Sequence, residues 1–133
     1  MDLRKLVEEL GNGIVYVVAL TYAEKLCAKV IACSDDRRLR KKLCALPTKR
    51  RINGALAILR KEGVVDEEQY RYLKSVFRAV RCWRNAVLHE VCRARCPRIE
   101  VDEVSKALDM LRNVVEHYVA KYSKRCVEPR QRT

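Results

Sequence analysis

A short polar run in the middle of the chain carries side chains suited to acid–base chemistry. Residues 81–90 read RCWRNAVLHE and include His89, one of only two histidines among 133 residues. Histidine titrates closest to neutral pH, which makes it the most frequent general acid or base. Asn85 lies four residues before His89, so on a helix the two residues share a face and can touch. The spacing therefore predicts Asn85 and His89 as candidate site residues.

Arg84 stands beside this pair in an unusual position. On a helical wheel it falls inside an apolar stripe made of Leu73, Phe77, Val80, Val87 and Val91. Burying an unpaired guanidinium group is costly. Arg84 should therefore reach solvent, find an acidic partner in the core, or lie at a cleft or a subunit interface. The neighbouring arginines would also lower the pKa of His89 and favour its neutral form, which can act as a base.

Helices are the elements that must position these residues. Four glycines and three prolines are few for a chain of strands and tight turns. Apolar residues recur at steps of three and four, and turn signals separate the runs. Helical segments are predicted at about 2–10, 14–33, 35–45, 48–61, 66–95 and 102–124. The sequence thus predicts an all-α fold: one domain over 1–133, built as a bundle of about five helices, with a frayed polar tail at 125–133.

Local signals also mark individual helices. The segment from 14 to Tyr22 is apolar on nearly all sides, which predicts a central, buried helix. Asp66 and Gln69 have the spacing of a capping box that would open the longest helix. Gly63 should end the preceding helix, and Pro97 should limit the longest one.

The positive charge is high and unevenly distributed. The net charge is +12, from 29 Lys and Arg against 17 Asp and Glu, and such a surplus attracts polyanions such as RNA, DNA, nucleotides or anionic lipid. One basic group lies in 37–51, which contains no acid, and a second begins at residue 78. The candidate RNA-binding residues from these groups are Arg37, Arg38, Arg40, Lys41, Lys42, Arg78 and Arg81. A helix-turn-helix in 35–61 is disfavoured, because its second helix is apolar where a recognition helix exposes base-reading side chains.

Cysteine usage and the absence of sorting signals indicate the compartment. Seven cysteines, an odd number, argue against a secreted disulfide scaffold. The opening residues do not form a secretory signal, and the apolar run at 14–22 is too short to span a bilayer. We expect a cytoplasmic protein without membrane association. Many cysteines together with 35% charged residues favour a thermophilic source.

A zinc site is a competing interpretation of the same helix. Its candidate ligands are Cys82, His89, Cys92 and Cys96. These residues extend along roughly 20 Å of one helix and cannot close a tetrahedron by themselves. Cys92 and Cys96 are better interpreted as packed thiols or disulfide halves, and His117 as a structural or surface residue. No metal and no cofactor is predicted.

The run Arg84-Asn85-Ala86-Val87-Leu88-His89 resembles the Arg-x4-6-His motif of HEPN domains, with the polar residue that often follows the arginine. The preceding AILRKEGVVDEEQYRYLKSVFRAV and the closing VDEVSKALDMLRNVVEHYVAKY are similar to the helices around this motif in that family. The resemblance covers roughly 50–124. One position departs from it: HEPN toxins paired with nucleotidyltransferase antitoxins often carry Tyr two residues after the histidine, and this chain has Val91.

The resemblance implies a small helical bundle that acts as a homodimer, with two motifs lining a cleft at the interface. Active members are metal-independent endoribonucleases that leave 2′,3′-cyclic phosphate and 5′-hydroxyl ends, some as toxins or antiviral effectors. His89 would be the general base or acid. Arg84 would stabilise the transition state, and Asn85 would orient the phosphate or His89. On a regular helix, however, Arg84 and His89 lie about 140° apart.

Two alternatives stay open at this point. The first is a non-catalytic HEPN module that binds nucleotide, RNA or a nucleotidyltransferase-type antitoxin. The second is a basic structural or DNA-binding helical protein, which would bind duplex DNA more tightly than RNA at matched salt.

Overall fold

The computed structural model describes residue 11 and residues 13–89 and 95–126; the side chains of Leu88 and His89 lie outside this description. Its α-helices are α1 (Gly13–Cys33), α2 (Arg37–Lys42), α3 (Thr48–Lys61), α4 (Glu67–His89) and α5 (Val101–Lys121). Short 3-10 turns span Leu43–Ala45 and Ser123–Arg125. The described residues contain five α-helices and no strand, so the predicted all-α bundle is confirmed. The segment predicted at 2–10 lies outside the described residues.

Capping side chains and a glycine turn define where several of the helices begin and end. Asp36 caps α2, and its carboxylate accepts a hydrogen bond from the Leu39 N–H at 3.1 Å. The predicted capping box opens α4: the Gln69 N–H donates to Asp66 at 2.7 Å, and the Asp66 N–H donates to Gln69 at 3.0 Å. Gly63 follows α3 with a φ of 73°, a conformation that glycine adopts without steric cost. Each of these signals involves residues within three or four positions of one another, so the helix ends could be predicted from the sequence.

The core forms around α1, which contacts α3, α4 and α5. Leu20 and Ile31 of α1 are fully buried. They meet fully buried side chains of the other three helices: Leu56, Leu59, Leu73, Val80, Leu111 and Tyr118. Each such side chain contributes about 1.5–3 kcal/mol relative to its exposed state. The buried residues of α3, α4 and α5 recur at steps of three and four, and these are the faces that close on α1.

One expectation for α1 needs correction, because this helix is not buried on all sides. Val18 is 62% exposed and Tyr22 is 40% exposed. Both belong to the segment whose apolar character predicted a central, buried helix, of which the central position is confirmed. Apolar composition by itself does not fix burial, since a small bundle leaves part of its apolar surface in contact with solvent.

The region predicted as one helix over 35–45 is shorter and ends in a 3-10 turn. Arg51 lies beneath this turn and donates from Nη2 to the carbonyl oxygens of Leu43 at 3.0 Å and Leu46 at 3.2 Å. The guanidinium group thus gives the Leu46 carbonyl a donor and adds a second donor to the Leu43 carbonyl, which also accepts from the Leu46 N–H. Arg51 therefore has a structural role, unlike the exposed cations around it.

Two disulfides link distant parts of the chain. Cys33 at the end of α1 pairs with Cys126, and Cys82 on α4 pairs with Cys96. Arg125 also donates from Nε to the Cys33 carbonyl at 3.2 Å. The tail expected to fray from residue 125 onward is therefore fixed at its first two residues, while residues 127–133 lie outside the described part.

Candidate nucleic-acid interface and motif helix

The Arg84–Asn85 pair lies on the last turns of α4, and both side chains are half-buried. Arg84 donates from Nε to the Oδ1 oxygen of Asn85 at 3.0 Å. The partner of Arg84 is thus an amide, and no acidic side chain of the described residues pairs with it. Among the described residues no other hydrogen bond is formed by Arg84, so its terminal guanidinium nitrogens can bind an anion. The backbone of His89 ends the described α4, and its side chain lies outside the described part.

A close contact with α1 supports the motif turns from one side. Ala86 is buried, and Val87 packs against Gly13 at the start of α1. A Cβ atom added to Gly13 would lie 2.5 Å from Cγ2 of Val87, far inside the contact distance. Glycine at this position therefore permits α1 and α4 to approach closely beside the motif.

The segment that follows the motif supports α4 from a second side. Trp83 donates from Nε1 to the Pro97 carbonyl at 2.7 Å, one residue beyond the Cys82–Cys96 disulfide. Tyr16 of α1 stacks on Trp83 with ring centroids 5.9 Å apart. The residues just before Arg84 are consequently held by covalent, hydrogen-bonding and aromatic contacts at once.

Tyr16 also ties α1 to the same segment, because its hydroxyl donates to the Ile99 carbonyl at 3.3 Å. Burial, and secondarily the charge of Glu100, raise the pKa of Tyr16, so the hydroxyl keeps the proton that it donates.

The Cys82–Cys96 disulfide bears on the zinc interpretation of α4. It removes the thiols of Cys82 and Cys96, two of the four candidate ligands, while Cys92 lies outside the described residues.

Two neighbouring cavities form one basic groove along α2, α3 and α4. The first, of about 310 Å³, lies between α3 and α4 and is lined by Lys49, Ile52, Asn53, Lys74, Phe77, Arg78 and Arg81. The second, of about 830 Å³, lies over α2 and α3 and is lined by Asp36, Arg38, Leu39, Lys42, Leu46, Lys49, Arg50, Asn53 and Gly54. Lys49 and Asn53 belong to both. We call the combined surface the basic groove.

The basic groove brings the two predicted groups of positive charge together. Arg38 and Lys42 come from the first group, and Arg78 and Arg81 from the second. The remaining candidates lie on α2 but do not line the groove: Arg37, Arg40 and Lys41. Among the described residues, no salt bridge neutralises any of these seven side chains. The groove is therefore a concave surface with a strong positive potential.

Sequence reasoning did not single out Lys74 and Asn53 as site residues. The signal for Lys74 is present in the sequence, because Lys74, Arg78, Arg81, Asn85 and His89 follow one another at steps of four, three, four and four. Such steps place the five positions on one helical face. Asn53 has no comparable signal, since its position between α3 and α4 depends on how the helices pack.

Cys27 and His117 do not line the basic groove. Burial raises the pKa of the Cys27 thiol to about 12, with Glu24 adding to the effect and Arg51 opposing it, so Cys27 is a neutral packing residue. His117 is exposed on α5, as its spacing indicated. In the part of the chain that is described, no cluster of His, Cys, Asp or Glu could hold a metal ion.

Comparison with known protein families, with curated proteins and with solved structures gives no match to this chain. None of the described helices combines the length and the apolarity needed to cross a bilayer.

Proposed function

We propose that this chain is a metal-independent endoribonuclease of the HEPN type. One observation carries the proposal: the hydrogen-bonded Arg84–Asn85 pair lies on the same helix as Lys74, Arg78 and Arg81 of the basic groove, within a bundle of helices. His89 completes the motif four residues beyond Asn85. A cytoplasmic location and a role as a toxin or antiviral effector belong to the same proposal.

The proposed reaction is transesterification within the RNA strand. His89 removes the proton from a ribose 2′-hydroxyl, and the 2′-oxygen then attacks the adjacent phosphorus. The P–O5′ bond breaks, and the protonated His89 returns a proton to the 5′-oxygen, which leaves as a hydroxyl, while the other fragment keeps a 2′,3′-cyclic phosphate. Arg84 stabilises the charge that develops on the phosphoryl oxygens. Asn85 holds the Arg84 guanidinium in place through the 3.0 Å hydrogen bond.

The first test compares wild-type protein with the His89→Ala variant on labelled single-stranded RNA in the presence of EDTA. We expect cleavage by the wild type alone, with cyclic phosphate ends, and RNA binding by both proteins. Replacing the exposed His117 by Ala is the matched control and should leave cleavage unchanged. Cleavage by the His89→Ala protein would refute the assignment of the site.

A non-catalytic binding module is the second candidate, because the positive charge of the basic groove attracts polyanions whether or not His89 reacts. This candidate predicts RNA or nucleotide binding by the wild type without turnover. The absence of cleavage across several RNAs, together with retained binding, would favour it. A nucleotidyltransferase-type partner would then be sought by co-purification.

The proposal includes a homodimer whose two motifs form one site. We expect a particle of twice the 15.5 kDa chain mass by light scattering. Co-refolding wild-type chains with an excess of the inactive Arg84→Ala/His89→Ala double variant should lower the activity per wild-type chain at saturating RNA, because each site then contains one inactive motif. Unchanged activity per wild-type chain would show that each subunit acts alone.

A further inference from the structure

The smaller cavity of the basic groove has the size and lining of a site for one nucleotide. Its volume of about 310 Å³ lies at the lower end of the range for small-molecule sites. Ile52 and Phe77 form its floor and are almost fully buried, at 4% and 2% exposure, so the floor is rigid and apolar. Four exposed or half-exposed cations surround this floor: Lys49, Lys74, Arg78 and Arg81.

Asn53 gives the cavity a polar group that is not a charge. It is half-buried, and among the described residues no hydrogen bond occupies its amide. An amide offers two donor hydrogens and an acceptor oxygen, the combination that pairs with the edge of a nucleic-acid base. Cations alone would bind a phosphate without distinguishing bases. Asn53 therefore adds the means to distinguish one base from another.

The smaller cavity lies along the same face of α4 as Asn85 of the motif. Arg78 and Asn85 lie on the same face of α4, seven residues apart, which corresponds to about 10 Å along the helix axis. Arg81 lies between them and lines the cavity. On its other side the cavity continues into the larger one over α2 through Lys49 and Asn53. A single RNA strand lying in the basic groove can thus pass through the smaller cavity and continue towards the Arg84–Asn85 pair.

We propose that this cavity is a nucleotide subsite for single-stranded RNA, in which Lys49, Lys74, Arg78 and Arg81 hold the phosphates and Asn53 hydrogen-bonds the base edge. The proposal rests on the proposed function only in taking RNA as the substrate. A single strand is required, because the edge of a base reaches Asn53 only when it is unpaired and turned out of a stack.

Binding is measured by fluorescence anisotropy with labelled 2′-O-methyl oligonucleotides. The methyl group blocks attack by the 2′-oxygen, so binding is observed without cleavage. The test protein is Lys49→Gln/Lys74→Gln, and the matched control is Lys29→Gln/Lys106→Gln, which removes the same charge from exposed lysines on α1 and α5. The groove variant should bind about tenfold more weakly. It should also lower the slope of log affinity against log salt by about 1.4, because each phosphate contact contributes about 0.7 for a single strand.

Equal weakening by the groove variant and by its control would overturn the proposal, because binding would then follow net charge and not the cavity. Tighter binding of duplex DNA than of the single strand at matched salt would overturn it as well. Far-ultraviolet circular dichroism of both variants verifies that the helices remain folded.

The role of Asn53 is tested with homopolymeric oligonucleotides of A, U and C. The wild type should prefer one base by about fivefold or more, given that a well-placed amide contributes about 1–3 kcal/mol of discrimination. Asn53→Ala should remove this preference and leave the salt slope unchanged, while Asn113→Ala on the exposed face of α5 should change neither. A wild type without base preference, or an Asn53→Ala protein that keeps the preference, would overturn the assignment of Asn53.

Failure of this proposal can be distinguished from failure of the proposed function. If RNA is cleaved while the groove variant binds like its control, the enzyme proposal stands and the subsite falls. If no RNA is cleaved while the groove and Asn53 variants lose affinity and base preference, the subsite stands and the enzyme proposal falls.

Discussion

At the scale of single residues, the hydrogen bond between Arg84 and Asn85 identifies the partner of the Arg84 guanidinium group on the apolar stripe of α4. From the sequence we expected Arg84 to reach solvent, to pair with an acid in the core, or to lie at a cleft or a subunit interface. The observed partner is the neighbouring amide, which fixes Nε without neutralising the charge. Arg84 keeps its full positive charge and gains a defined orientation, and a phosphate-stabilising residue needs both properties.

Asn85→Ala should therefore slow RNA cleavage while RNA binding persists. Loss of the Oδ1 acceptor frees the guanidinium to sample other rotamers, and a misplacement of about 1 Å costs about 100-fold in rate. We expect a fall of that order in kcat and a change in KM of less than about threefold, measured by steady-state cleavage of a labelled RNA. A rise in KM at constant kcat would instead show that Asn85 binds the substrate directly. Asn113→Ala is the matched control on α5.

At the scale of helices, the motif is supported by the packing of α1 against α4. Gly13 and Val87 come into contact where a larger side chain would not fit. Gly54, in the middle of α3, presents the opposite case: a Cβ there would meet only the Leu39 side chain, at 3.4 Å or more, an ordinary contact distance. The two glycines provide a matched pair of sites for the same substitution.

Gly13→Ala should destabilise the fold by about 1–3 kcal/mol, because the new methyl group overpacks against Val87. Gly54→Ala should stabilise it by about 0.5–1 kcal/mol, since it removes a glycine from a helix interior. Urea unfolding followed by circular dichroism measures both changes. Adding Val87→Ala to the Gly13→Ala protein should recover part of the loss. The same sign of change for both glycine variants would contradict the close contact between Gly13 and Val87.

At the scale of the whole molecule, two disulfides of very different span stabilise the bundle. Cys33 and Cys126 are 93 residues apart and join the end of α1 to the chain after α5, whereas Cys82 and Cys96 are 14 residues apart. In the chain-entropy account a disulfide acts by restricting the unfolded chain, and the restriction grows with the length of the loop that it closes.

Replacing both Cys33 and Cys126 by Ala should lower the free energy of unfolding by about 4–5 kcal/mol, against about 3 kcal/mol for the Cys82→Ala/Cys96→Ala pair. Urea titration at a single temperature gives both values. The shorter disulfide lies beside the motif, so its removal should also lower RNA cleavage, whereas removal of the longer one should leave cleavage of the still-folded protein unchanged. An equal or larger loss of stability from the shorter disulfide would contradict the loop-length argument.

The sequence by itself determined the features that depend on neighbouring residues. Helical spacing, the Asp66–Gln69 capping box and the turn at Gly63 are local, because a helix repeats within four residues and its caps act within three. The all-α fold and the approximate bounds of α1, α3 and α5 followed from these signals. The positive charge and the Arg84–Asn85–His89 spacing could also be determined from the sequence, since they require only composition and order along the chain.

The tertiary structure alone decided which distant residues meet. It paired Cys33 with Cys126, left Val18 exposed on an apolar helix and turned Arg51 inward. It also joined two groups of cations through Lys49 and placed Asn53 between them. These outcomes depend on how helices far apart in sequence pack against one another. Burial and pairing are properties of that packing and not of the order of residues within any one helix.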